Sequence, residues 1–280
     1  MPTLRQLLVQ AAAALERAGV AEPRLTAAVL LAHRLGRDRA YLYAHSEAEL
    51  PAEEQAAWER LIARRAAGAP LQYLTGEQEF YGRRFQVSPA VLIPRPETEL
   101  VVEAALERLP PDAPARIVDV GTGSGCIAVT LALERPQAEV VATDRSSAAL
   151  AVARANAAAL GARVAFVETD LLAGLAGPFD LIVSNPPYVA EAELATLQPE
   201  VREHEPRAAL VAGPLGTEIY ARLIPQAQAA LRPGGWLVLE LGYESAAAVR
   251  ELLGAGWGEV ETRRDLQGWE RVLVAQVIGA

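Results

Sequence analysis

From residue 116 onward the chain alternates short apolar runs with helical stretches, and few folds accept that alternation. Strands are expected at 116–120, 139–143, 163–168, 179–184, 235–241, 257–262 and 270–277. Helices are expected near 125–134, 146–160, 217–231 and 245–254. The runs Arg116-Ile117-Val118-Asp119-Val120 and Phe179-Asp180-Leu181-Ile182-Val183-Ser184 are mostly apolar, as strands buried on both faces require. The expectation is an α/β, Rossmann-like fold: a mostly parallel sheet with helices on both faces and ligands at the carboxyl ends of its strands.

The first 75 residues read as a small helical domain. Thr3 can cap a helix that runs to Arg17, with leucines at 4, 7, 8 and 15 and Gly19 just past its end. A second helix is expected from about Glu22 to Leu35, before Gly36. A third follows Pro51, with Glu53 and Glu54 in its first turn and Arg64 and Arg65 in its last, the charge order a helix dipole favours. Residues 76–94 then read as a β-hairpin connector, with Phe80 to Val87 folding back around Gly82. Residues 95–280 hold the alternating domain, and Pro96, Glu97 and Glu99 suit the start of a helix over 100–109. The helical domain carries nothing that looks catalytic. It reads as a docking module or a lid.

Charge separates the two parts. Residues 1–75 hold nine arginines and eight acids, whereas residues 76–280 hold 17 arginines and 27 acids. A domain with a net charge of −10 is poorly suited to tracking phosphate backbones, so no direct nucleic-acid partner is expected. No apolar run is long enough to span a membrane, and the N-terminus lacks a basic-then-apolar signal, so a cytoplasmic protein without a membrane partner is expected. The single cysteine, Cys126, follows a glycine-rich turn. No histidine is near it in sequence, and a small buried residue at a helix start is the expected role. His33 and His45 lack metal-ligand spacing, and no metal is expected.

Chemistry concentrates at Asn185-Pro186-Pro187-Tyr188, directly after an expected buried strand. Asn and Pro are ordinary turn residues, so a simple strand terminator is the bland alternative. Two prolines and an aromatic at that place favour a site. The lone pair of a planar amide or arylamine nitrogen is delocalised and cannot attack a methyl group until the nitrogen pyramidalises. An enzyme favours that change by accepting both N–H hydrogens in the tetrahedral geometry. The Asn185 side-chain oxygen and the Pro186 carbonyl can act as the two acceptors. Pro186 and Pro187 stiffen the turn, and Tyr188 offers a ring for stacking.

The glycine turn Gly121-Thr122-Gly123-Ser124-Gly125 follows the first expected strand of the sheet. Its spacing is Gly-x-Gly-x-Gly, which favours S-adenosylmethionine over a nicotinamide cofactor, although the motif alone leaves both open. Asp144 ends the second strand, where a carboxylate can accept both ribose hydroxyls; alternatively it caps the next helix, a job Ser146 can also do. Asp170 and Leu171 end the third strand and can meet the adenine edge and face. Asp119 can help hold the methionine ammonium group. Residues 189–216 form a long acidic, proline-containing connection, including Glu200, Glu203, His204, Glu205 and Pro206, and read as a mobile element that grips substrate.

Taken together, the helical N-terminal part, the connector Phe80 to Phe85, Ile93-Pro94-Arg95-Pro96-Glu97-Thr98-Glu99, Asp119 to Gly125 and Ser184 to Tyr188 resemble the bacterial release factor glutamine methyltransferases (the HemK family) over essentially the whole chain. The resemblance implies methyl transfer from S-adenosylmethionine to the glutamine amide of the Gly-Gly-Gln motif in class-1 peptide release factors. It implies cofactor contacts at Gly121, Thr122, Gly123, Ser124, Gly125, Asp144, Leu171 and Asn185. It also implies substrate contacts at Asn185, Pro186, Pro187 and Tyr188, with Asn185, Pro186 and Tyr188 serving catalysis.

Overall fold

A computed structural model describes residues 1–278, which divide into two compact units. One comprises Met1–Glu77 together with Gln198–His204, and the other Gln78–Leu197 together with the chain from Glu205.

The first unit contains α1 (Leu4–Arg17), α2 (Pro23–Leu35), α3 (Arg39–Ala44), α4 (Ala52–Ala66) and α5 (Leu71–Thr75). The Thr3 hydroxyl accepts from the Gln6 amide, and the Gln6 side chain accepts from the Thr3 amide, so α1 starts with a reciprocal cap. Leu4, Leu7, Ala11 and Leu15 recur at helical spacing and are buried with Leu30, Leu31, Trp58 and Ile62. The short α3 and α5 fall below the length at which periodicity is readable. α3 is instead announced by Asp38, whose carboxylate accepts from the Tyr41 amide at 2.8 Å. Arg65, on α4, reaches Glu200 at 2.5 Å, tying residues 198–204 to this helical unit.

The second unit opens with the hairpin β1 (Glu77–Phe80) and β2 (Arg83–Gln86), followed by a 3-10 turn at Pro96–Thr98 and α6 (Glu99–Glu107). Alternation then begins with β3 (Arg116–Val120), α7 (Cys126–Glu134), β4 (Glu139–Asp144), α8 (Ser147–Leu160), β5 (Val164–Glu168) and β6 (Phe179–Ser184). Short elements follow: β7 (Val189–Ala190), a 3-10 turn at Glu191–Thr196, α9 (Pro199–His204), which belongs to the first unit, α10 (Arg207–Leu210) and β8 (Val211–Gly213). The last group is α11 (Glu218–Ala230), β9 (Leu231–Glu240), α12 (Ala246–Glu251), β10 (Trp257–Arg264) and β11 (Glu270–Val277).

Seven strands form one sheet in the order β10-β11-β9-β6-β3-β4-β5, with β11 antiparallel to both its neighbours and the rest parallel. Period-two alternation divides its side chains between two cores. Ile117, Leu181, Val183 and Val238 pack with α6, α7 and the hairpin residues Phe80 and Phe85. Val118, Ile182, Leu237 and Leu239 pack with Tyr220, Leu223 and Ala227 of α11 and Val249 of α12. A fully buried aliphatic side chain of this kind contributes about 1.5–3 kcal/mol, so a one-residue slip of any central strand would forfeit both cores.

The long connection over 189–216 carries secondary structure of its own. It is occupied by short helices and by a parallel β7–β8 pair. Local polar contacts hold it: Glu193 accepts from the Ala190 amide at 3.2 Å, and Glu218 accepts from the Leu215 amide at 2.7 Å.

Candidate active site

β3 lies inside the sheet, with β4 on one side and the central strand β6 on the other. The chain winds away from β3 in both directions, which opens a crevice at the carboxyl ends of these strands. A cavity of about 360 Å3 occupies that place, within the range usual for small-molecule sites. Its wall includes Gly121, Thr122, Gly123 and Ser124 after β3, Asp144 at the end of β4, Leu171 beyond β5, and Asn185 and Pro187 after β6.

The glycine turn is shaped by its neighbours. The amides of Gly121 and Thr122 both donate to the Thr143 carbonyl at 2.9 Å. Asn156, buried on α8, donates to the Ser124 carbonyl at 2.8 Å and to the Gln86 carbonyl at 3.0 Å. Gly125 is not on the cavity wall. It has a φ of +82°, and a Cβ there would lie 3.1 Å from that of Ala153, so this glycine serves helix packing.

Asp144 is not the cap of the next helix. Ser146 takes that place, accepting from the Ala149 amide at 3.2 Å. The Asp144 carboxylate accepts from the Gly123 and Ser146 amides at 3.0 and 2.9 Å, one on each oxygen, which leaves each oxygen a further lone pair. Leu171 has a φ of 55°, a left-handed conformation that costs a non-glycine residue about 1–2 kcal/mol. The Thr143 hydroxyl donates to its carbonyl at 3.1 Å. Asp170 also lines the cavity, and its carboxylate is paired with Arg222.

Asp119 is fully buried on β3. One carboxylate oxygen accepts from the Thr122 hydroxyl at 2.6 Å and from the Ala128 amide at 3.2 Å. The other oxygen is buried without a hydrogen-bond partner among the described residues. Burial pushes this carboxyl up to about 7 against the pull of those two donors. Burial likewise pushes the Cys126 thiol up to about 12, which keeps it protonated and a poor nucleophile.

β6 delivers Asn185. The Ser184 hydroxyl donates to the Val120 carbonyl at 2.6 Å, fastening the carboxyl ends of β6 and β3 side by side. Asn185 is half-buried on the cavity wall, and its amide nitrogen donates to the Thr98 hydroxyl at 3.2 Å. Pro186 is buried and does not reach the wall. Tyr188 also lies off the wall. Its ring rests where a Cβ on Gly242 would come within 2.9 Å, and its hydroxyl donates to Glu240 at 3.4 Å.

Four residues around the site were not among the expected site residues, although Arg95 and Thr98 belong to the segment that carries the resemblance and Glu205 to the acidic connection. Thr98 lines the cavity beside Asn185 and Glu240 lies off the wall, each 2% exposed. Arg95 lines the cavity and is held at 2.5 Å by Glu205, a buried carboxylate that also accepts from the Ile93 amide at 3.1 Å. Pro94-Arg95-Pro96-Glu97-Thr98 was legible as a helix start and as part of the family resemblance, and Glu240 only as a strand residue.

Comparison with known proteins gives the family and the fold. Residues 6–76 match the PrmC N-terminal domain, and residues 98–202 match the methyltransferase small domain. A release factor glutamine methyltransferase from Koribacter versatilis (strain Ellin345) is 49% identical over 276 residues, 98% of each chain. One of the same name from Deinococcus radiodurans is 50% identical over 278 residues, 99% of each chain. Among solved structures, the 16S rRNA N2 G1207 methyltransferase of T. thermophilus, in complex with AdoMet and guanosine, is similar with a TM-score of 0.53 at 24% identity, over 72% of this chain and 49% of that one. A methyltransferase from Pyrococcus furiosus gives 0.52 at 18% identity, over 79% and 98% of the two chains. At such identities the likeness is one of fold.

Proposed function

The chain belongs to the release factor glutamine methyltransferase family, and from that membership we propose that it transfers a methyl group from S-adenosylmethionine to the side-chain amide of the Gly-Gly-Gln glutamine in class-1 peptide release factors. The observation that carries the site assignment is that Asn185 and the turn Gly121 to Ser124 line one cavity.

The residues present fit the donor. Asp144 keeps lone pairs for a ribose diol, and Leu171 offers an apolar contact for a flat base. Asp119, buried off the cavity wall, keeps one oxygen without a partner among the described residues, and that oxygen is read as the acceptor for the methionine ammonium group. S-adenosylmethionine, when bound, supplies its methyl group as an electrophile. The protein's part is to hold the glutamine amide in line and to ease its nitrogen out of planarity. The Asn185 side-chain oxygen, on the wall, is read as the acceptor that favours the pyramidal nitrogen; the Pro186 carbonyl, expected as the second, belongs to a residue buried off the wall. Pro187 narrows the slot in which the amide lies. Tyr188 is read as a support beneath this turn. No strong base is required, because the nitrogen becomes acidic only once alkylated. The helical unit is read as the module that docks the protein substrate.

The test is transfer of a labelled methyl group to a purified class-1 release factor, run beside a variant with alanine in place of the motif glutamine and beside duplex DNA. Label is expected on the release factor alone and should vanish with the glutamine. Label in DNA, or label that survives the replacement, overturns the assignment.

A further inference from the structure

The carboxamide of Asn185 can face the substrate with either its oxygen or its nitrogen, and only the oxygen can accept an N–H hydrogen. Something must choose between the two. The choice is made by two buried residues that do not belong to the Asn-Pro-Pro-Tyr turn: Thr98, on the cavity wall, and Glu240, off it.

Glu240 is the last residue of β9. The parallel register sets Ser184 of β6 opposite Leu239, so Asn185 and Glu240 emerge next to each other at the carboxyl edge of the sheet. Thr98, at the end of the 3-10 turn, lies between them. Its hydroxyl donates to Glu240 Oε2 at 2.5 Å and accepts from Asn185 Nδ2 at 3.2 Å. A hydroxyl has one hydrogen. While Glu240 is ionised it is acceptor-only, so it claims that hydrogen and leaves Thr98 only a lone pair to offer. The lone pair selects the nitrogen end of Asn185. Reversing the amide would set oxygen against oxygen.

We propose that Thr98 and Glu240 are positioning residues that polarise this chain of hydrogen bonds and so hold Asn185 Oδ1 toward the glutamine amide. The proposal rests on the reading of Asn185 as an acceptor for that amide and deepens it. Tyr188 belongs to the same support, since its hydroxyl donates to the other oxygen of Glu240 at 3.4 Å.

Several charged or titratable groups surround Glu240. Tyr188 follows β6, Arg271 is on β11, Glu97 is in the 3-10 turn and Cys126 begins α7. Tyr220, on α11, donates to the Glu240 backbone carbonyl at 2.8 Å. Burial pushes the Glu240 carboxyl up to about 7, while the Thr98 and Tyr188 hydroxyls and Arg271 pull it down. A protonated Glu240 could itself donate to Thr98. The Thr98 hydrogen would then turn to Asn185, and the amide would lose its fixed sense. Turnover should therefore fall as pH drops through this range.

The test is a set of steady-state measurements with a purified release factor on Thr98→Val, Thr98→Ser, Glu240→Gln and the double variant Asn185→Ala/Thr98→Val. Thr98→Val should lower kcat by roughly ten- to a hundredfold, with KM for the release factor and the Kd of S-adenosylmethionine within about threefold of wild type. Thr98→Ser should restore most of the loss. In the Asn185→Ala background, Thr98→Val should cost nothing further, because it acts only through Asn185. Glu240→Gln should lower kcat and remove the acid limb of its pH profile near 7. An undiminished kcat in Thr98→Val, equal damage by valine and serine, a further loss in the double variant, or an acid limb that persists in Glu240→Gln would each overturn the proposal. Wild-type protein in the same assay separates the two claims. If it fails to methylate the release factor, the functional reading falls; if it succeeds while the variants behave otherwise, only the positioning role falls.

Discussion

The Asp144 carboxylate accepts the Gly123 amide at 3.0 Å, so the acid that ends β4 also shapes the glycine turn that follows β3. One side chain thereby joins the two parts of the crevice proposed to hold the cofactor. Asp144→Ala should weaken S-adenosylmethionine binding by roughly ten- to a hundredfold, the usual scale for hydrogen bonds to a charged group. Turnover at saturating cofactor should change far less. Equilibrium binding and kcat measured on the same preparation check this. A large loss of kcat with binding intact would count against a cofactor role for Asp144.

Asn185→Ala should show the opposite division. Removing a transition-state acceptor should lower kcat by roughly a hundredfold or more while leaving cofactor affinity nearly unchanged. Activity equal to wild type would take Asn185 out of the mechanism.

The two inner glycines of the turn should respond differently to alanine. Both have positive φ, +56° at Gly123 and +82° at Gly125, so each alanine carries backbone strain of about 1–2 kcal/mol. A Cβ at Gly123 would meet nothing within 4 Å, whereas one at Gly125 would press on Ala153 at 3.1 Å. Gly125→Ala should therefore be the more destabilising of the two in urea unfolding. Equal midpoints would show that α8 yields to the added methyl freely.

Asp119 makes stability depend on pH in a direction opposite to that of a salt-bridged carboxylate. Burial pushes it up to about 7, against an ordinary value of 3.8, so between those values the folded protein holds a proton that the unfolded chain has shed. Its contribution is most favourable below that window and is lost as pH rises through it, by an amount on the order of a few kcal/mol. Asp119→Asn cannot titrate. The stability of wild type relative to this variant should fall between about pH 4 and pH 7 and level off above. Parallel pH–stability curves for the two proteins would refute the shift.

Much of the fold is legible in the sequence because local order and burial point the same way. Thr3 and Gln6 announce the start of α1, and each expected strand of the sheet lies within a few residues of the observed one. The signal weakens where elements are short. α3 and α5 present too few turns for periodicity, and the short elements between β7 and β8 depend in part on partners far away in sequence, such as Ile93 and Arg95 for Glu205. The turn Gly121 to Gly125 and Asn185 to Tyr188 are readable because glycine and proline carry backbone instructions in themselves.

Residue type and spacing alone determined the parallel sheet, the crevice at its carboxyl edge and the place of Asn185 just after a central strand, since all three follow from hydrophobic period and backbone chemistry. The tertiary structure decided which members of those motifs meet the cavity. It brought Gly123 and Asn185 to the wall, turned Gly125 to packing, and seated Tyr188 against Gly242. It alone joined Thr98, Asn185 and Glu240, which lie far apart in sequence on a 3-10 turn and the ends of two neighbouring strands. Strand register and helix entry set that meeting, and neither leaves a local mark on the residues concerned.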